Sequence, residues 1–137
     1  MSEYDMHNNV LGEIALAVQD ITTNTTTVGA IIDTAGFESL EYLITSGTIT
    51  DGVYALLLEE GDDSGLSDAA DVPAANILGS LTGFVAADDD TVKRVGSIGK
   101  KRYQRLSIVS TGTTTGGTNF TGLAVKGNPH SAPTSGA

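Results

Sequence analysis

Residues 40–60 read Leu-Glu-Tyr-Leu-Ile-Thr-Ser-Gly-Thr-Ile-Thr-Asp-Gly-Val-Tyr-Ala-Leu-Leu-Leu-Glu-Glu, and their alternation decides the fold class. Leu40, Tyr42 and Ile44 fall on one face of an extended chain, with Glu41, Leu43 and Thr45 on the other. Asp51-Gly52 is a strong turn signal, because glycine reaches positive φ without steric cost. Past it, Tyr54, Leu56 and Leu58 share one face of a second strand, Val53 to Glu60. A period of two belongs to strands, and no helical period of 3.6 competes with it.

The same rhythm extends outward. Ile14 to Val18 and Val28 to Ile32 read as strands, and the Thr-rich run Ile21 to Thr27 between them suits an extended chain. Downstream, Leu81 to Val85, Val92 to Ile98, Tyr103 to Ser110 and Asn119 to Val125 continue the set. Thr111 to Gly117 reads as a hairpin loop too polar to bury. Ser67 to Gly79 holds one short helical turn, with Pro73 at its start and Gly79 just past its end. Roughly seven to nine short strands without interleaved helices predict an all-β fold. The expectation is an antiparallel β-sandwich, jelly-roll-like or Greek-key, with extended N- and C-terminal arms. The domain spans residues 14–126, the N-terminal arm 1–13 and the C-terminal tail 127–137.

The 137 residues suffice for one core. Seventeen acidic residues against seven basic ones leave a formal charge of −10. That balance argues against a nucleic-acid partner, which needs a basic surface, and against docking on an anionic membrane. The acidic, polar N-terminus does not read as a secretory signal, and the apolar stretch Val10 to Val18 is too short to cross a bilayer. With no cysteine there is no disulfide framework and no thiolate nucleophile.

Chemistry-bearing constellations are sparse. The two histidines, His7 and His130, sit in polar terminal arms, where a Ser-His-Asp arrangement would need a rigid scaffold. Gly96 to Arg102 has the look of a phosphate cradle, but lacks the first glycine and the following Ser or Thr of a P-loop. Acidic runs at Glu59, Glu60, Asp62 and Asp63 and at Asp88, Asp89 and Asp90 have enough oxygens for calcium without any known calcium spacing, and read as solvated turns. No catalytic residue, cofactor or metal ligand is assigned. Charge segregation is more informative, because six of the seven basic residues (Lys93, Arg94, Lys100, Lys101, Arg102 and Arg105) lie between positions 93 and 105. Such a segment either docks on a complementary acidic surface or protects a sheet edge.

Several segments resemble small virion proteins of tailed bacteriophages: Asp51 to Ser64, Val95 to Leu106, Thr113 to Gly117 and Ala124 to Pro133. Among these the capsid decoration (cement) class is the most similar. The resemblance implies a non-enzymatic virion structural protein on the outer capsid surface, made in the bacterial cytoplasm and bridging subunits of the major capsid protein. It carries no catalytic residue to transfer. A homo-oligomer is expected, a trimer in particular. The expected contact residues are Tyr4, Met6, His7, Lys93, Arg94, Lys100, Lys101, Arg102, Arg105, Pro129 and His130. A tail, neck or fibre-base component is the alternative within structural proteins, and a glycan-binding surface module is the alternative outside them.

Overall fold

The computed structural model describes residues 5–113 and 116–130; Tyr4 and the tail from 131 onward, both named above, lie outside the described residues. Nine strands follow in order: β1 (Val10–Ile21), β2 (Thr26–Asp33), β3 (Phe37–Ser46), β4 (Val53–Gly61), β5 (Ala70–Asp71), β6 (Ile77–Gly79), β7 (Val92–Ser97), β8 (Tyr103–Thr111) and β9 (Thr118–Pro129). They form two antiparallel sheets, ordered β1-β9-β3-β7-β6 and β2-β8-β4-β5. The pairs 1·9, 2·8, 3·7 and 4·5 nest inside one another, as if a long hairpin were folded double between β4 and β5 and then rolled. This is the winding of a jelly roll, with β6 added beside β7.

The alternation read from residues 40–60 sets the core. Tyr42 and Ile44 are fully buried, as are Tyr54 and Leu58 on the opposing sheet. Between the sheets Phe120 packs against Tyr54 and Phe84, with ring centroids 4.9 and 5.1 Å away and both pairs steeply tilted. Such edge-inclined pairs add about 0.5–1.5 kcal/mol each to the burial itself. Gly29 marks where the sheets' edges close in, since a Cβ there would lie 2.0 Å from the Leu106 carbonyl oxygen and 2.5 Å from that of Ala15.

Several boundaries differ from the sequence reading, each for a local reason. Ile21 to Thr27 is mostly the bend that carries the chain from one sheet to the other. Leu81 to Val85 is not a strand, although it covers the outer edge of β4: Tyr54 and Phe84 exchange backbone hydrogen bonds, and Leu56 N–H donates to the Leu81 carbonyl. Gly83 allows that approach, with φ at +82° and no room for a Cβ beside the Tyr54 carbonyl. The loop after β8 is no hairpin, because β8 and β9 lie in different sheets. Nor is it wholly exposed: Thr113 is buried, its N–H donating to Asn24 Oδ1 at 2.8 Å. The helical turn is a 3-10 turn, Ala74–Asn76, directly after Pro73, while Gly79 ends β6. The arms are shorter than expected. β1 begins at Val10 and β9 runs to Pro129. Before β1, Asn9 N–H donates to the Met6 carbonyl and Asn8 N–H to the Asp5 carboxylate, which makes a turn of the expected arm.

The two core tyrosines are not equivalent. Tyr54 donates its hydroxyl to the Asp51 carbonyl at 2.8 Å, whereas the Tyr42 hydroxyl is buried without a partner. Burial alone pushes the Tyr42 phenol well above its ordinary pKa. Tyr42→Phe is therefore expected to stabilise the fold by about 1 kcal/mol, and Tyr54→Phe to destabilise it by about as much. Chemical denaturation of the two variants reads the opposite signs directly.

Candidate interaction surfaces

Pairing register brings the ends of the chain together at one end of the sandwich. Val10 pairs with Gly127 and Phe37 with Pro129, so the residues before β1 and after β9 emerge side by side. His130 N–H donates to the Gly36 carbonyl, and its Nε2 lies 2.6 Å from Glu38 Oε1. The β7–β8 loop joins them there, because Thr34 N–H donates to the Arg102 carbonyl. Of the expected contact residues, Met6, His7, Lys100, Lys101, Arg102, Pro129 and His130 thus share one end. Lys93 and Arg94 lie farther along β7, paired with Ile44 and Leu43. A polar cleft of about 310 Å³ opens at this end, lined by Thr34, Glu38, Ser97, Lys100, Lys101 and Gln104 among others.

The basic segment is less available than its sequence suggests. Lys93 donates to the Gly83 carbonyl at 2.6 Å, lies 3.3 Å from Asp88 and stands over the Phe84 ring. Lys101 pairs with Asp62 at 2.7 Å, Arg105 with Glu59 at 3.0 Å, and Arg102 grips both oxygens of Asp33 at 2.8 and 2.9 Å. Among the described residues, Arg94 and Lys100 are the cations of this segment without an ion pair. Opposite charges brought across the sheets have neutralised the rest within the chain. Exposed pairs such as Lys101–Asp62 contribute about 0–1 kcal/mol.

Lys126, the one basic residue outside the segment, went unremarked in the sequence. It is 5% exposed, donates to Glu13 Oε1 at 2.7 Å and to the Asp33 carbonyl at 3.2 Å, and lies over the Phe37 ring. Its inward register on β9, beside Ala124 and Phe120, is the signal that could have found it. It ties β9 to β1 and to the end of β2.

The acidic runs organise turns. Asp68 accepts the N–H groups of Asp62 and Asp63, and Asp63 accepts those of Gly65 and Ser67. Asp88 accepts from Val85 N–H and Asp89 from Ile49 N–H. These donors hold the Asp63, Asp68 and Asp88 carboxyls below the ordinary carboxylate range, and the Arg102 guanidinium does the same for Asp33. Among the described residues no group of three or more His, Cys, Asp or Glu side chains is placed to hold a metal ion.

A second surface lies on the flank of the sandwich, away from that end. The outer face of the five-stranded sheet carries one cross-strand row of Ile14, Leu123, Leu43 and Arg94, and next to it a row of Gly12, Val125, Glu41, Gly96 and Leu78. A further row ends on Val92, opposite Thr45. Ile14, Leu78 and Val92 are 57, 54 and 61% exposed. Contiguous apolar surface of this kind marks an interaction site more often than ordinary surface. Its sequence signal was the apolar residue on the outward positions of β3 and β9, Leu43, Leu123 and Val125, where a solvated face would alternate to polar.

No protein-family model matches the chain, and no curated protein matches it. Among solved structures, the chain is similar to one from a structure of infectious bursal disease virus, Gx strain, at 16% identity and a TM-score of 0.44. That similarity covers 90% of this chain and 35% of the viral one, so the chain spans about a third of its length.

The acid limb of stability follows from the carboxylates. A carboxyl whose folded pKa is depressed contributes stability above the unfolded value, near 4, and loses it as pH falls through the folded value. The melting temperature is expected to be level between about pH 7 and 5 and to fall below about pH 4. Asp68→Ala should lower melting at pH 7 and flatten that acid limb, as calorimetry across the pH range would reveal.

Proposed function

We propose that this chain is a non-enzymatic structural protein of a tailed-phage particle, seated on the outer capsid surface as a homo-oligomer and bridging subunits of the major capsid protein. The observation that carries the reading is the convergence, at one end of the sandwich, of both described chain ends with the Lys100–Arg102 loop. A bridging protein needs a rigid body and a localised docking end, and the two packed sheets with this convergence of segments support that reading. The resemblance of four segments to small virion proteins of tailed bacteriophages, among which the decoration class fits best, points the same way. Jelly-roll winding is used by capsid domains and also by lectins and cupins, so the fold by itself assigns no chemistry.

The physical work of such a protein is summed binding energy. Each copy adds contacts that internal pressure must break, and many copies on a lattice act together. A net charge of −10 suits a coat facing away from packaged nucleic acid. Because Lys101 and Arg102 are held by Asp62 and Asp33, docking through this loop would exchange internal ion pairs for external ones, with Lys100 adding an unpaired charge.

Co-sedimentation with capsid shells tests the reading. The triple variant Lys100→Ala, Lys101→Ala, Arg102→Ala is expected to bind about tenfold more weakly, with a shallower salt dependence, while melting stays near wild type. Removal of residues 1–9 should abolish binding and leave the folded core in place. Quantified in intact particles, the chain should be present in hundreds of copies; about a dozen or fewer would assign it to the neck or tail instead.

A further inference from the structure

We infer that the outer face of the five-stranded sheet is a self-association surface, on which a second copy of this chain packs across a two-fold axis. The inference does not rest on the virion reading, and it concerns a face separate from the docking end.

Three observations lead to a second copy as the occupant. The face is apolar and exposed where a solvated antiparallel sheet would alternate to polar, with Ile14, Leu123, Leu78 and Val92 in the open. Gly12 and Gly96 bring no side chain of their own to its central row, and Leu123 closes in beside the first and Leu78 and Glu41 over the second, so neighbouring side chains make a continuous cover for another sheet to meet. Its charge then selects the partner. Two copies at −10 each repel over most of their surfaces. Within the central rows of this face the charged side chains are Glu41 and Arg94, whose charges cancel. Neither has an ion-pair partner among the described residues.

Their placement is self-complementary. Arg94 pairs in register with Leu43, and Glu41 lies two positions before Leu43 on the same face, beside Gly96. A two-fold axis lying in the interface between Glu41 and Arg94 sets each carboxylate against the other copy's guanidinium. Two equivalent ion pairs then form around Leu43 and Leu123. An isologous contact requires one patch that complements itself, and this patch does. A threefold ring needs two different patches meeting head to tail, so this face favours pairs over the trimer expected from the sequence.

Sedimentation velocity over a range of concentrations decides the matter without any particle present, so its outcome is separate from that of the capsid-binding test. The wild-type chain should pass from monomer to dimer as concentration rises. Arg94→Glu should weaken association by about tenfold or more, because it opposes two like charges twice over, and Glu41→Arg should do the same. The double variant Glu41→Arg, Arg94→Glu restores both pairs in reversed polarity and should return to within about threefold of wild type. Leu78→Asp, at an exposed position on the short edge strand, should also weaken the dimer. Unchanged circular dichroism and melting in each variant exclude a folding defect. A wild-type chain that stays monomeric at all concentrations, one that forms trimers, or a dimer indifferent to both charge reversals would overturn the proposal.

Discussion

The structure depends on the insertion of β9 between β1 and β3. The last strand closes the sheet that the first one begins, and its inward side chains Phe120, Ala124 and Lys126 reach the core from the middle of that sheet. Phe120 joins Tyr54 of the opposing sheet to Phe84 of the segment that covers the β4 edge. Lys126 fastens the strand to Glu13 on β1 and to the backbone at the end of β2. Closing so long a loop is entropically unfavourable, and only a buried, well-packed strand offsets it. Removing Glu13 would leave the buried Lys126 ammonium with the Asp33 carbonyl as its remaining acceptor, at a cost reduced by the solvent that reaches the half-exposed Glu13 carboxylate.

Nested pairing also explains the distribution of surfaces. A chain folded double brings its two ends to the same end of the sandwich, along with the loops that turn beside them. Segments far apart in the chain are thereby gathered without any local sequence pattern. The same winding leaves one sheet with β9 at its heart and an outer face of aliphatic side chains.

Electrostatics is organised within the chain before it is available to anything outside. The acidic turns use their oxygens on backbone N–H groups, and most of the basic segment is answered by Asp33, Glu59, Asp62 and Asp88. Among the described residues, Lys100, Arg94 and Glu41 have no ion pair, and neither do Asp20, Glu60, Asp71 and Asp90.

The inward positions were legible in the sequence. Leu40, Tyr42 and Ile44, then Tyr54, Leu56 and Leu58, alternate because a pleated strand turns every second side chain to the same face, and burial follows from that period alone. The 3-10 turn after Pro73 and the turn at Gly52 were legible for similar reasons of local geometry. Pairing order, the crossing of the loop after β8 between sheets, the loss of Leu81–Val85 to an edge cover and the neutralisation of Lys93, Lys101, Arg102 and Arg105 were not. All but the Lys93–Asp88 pair, whose members are five positions apart, depend on residues tens of positions apart meeting in space. Sequence alone thus determined that this chain forms strands and which side of them is dry; the tertiary fold decided which charges are paired within the chain, because ion pairing is set by distance through space and not along the chain.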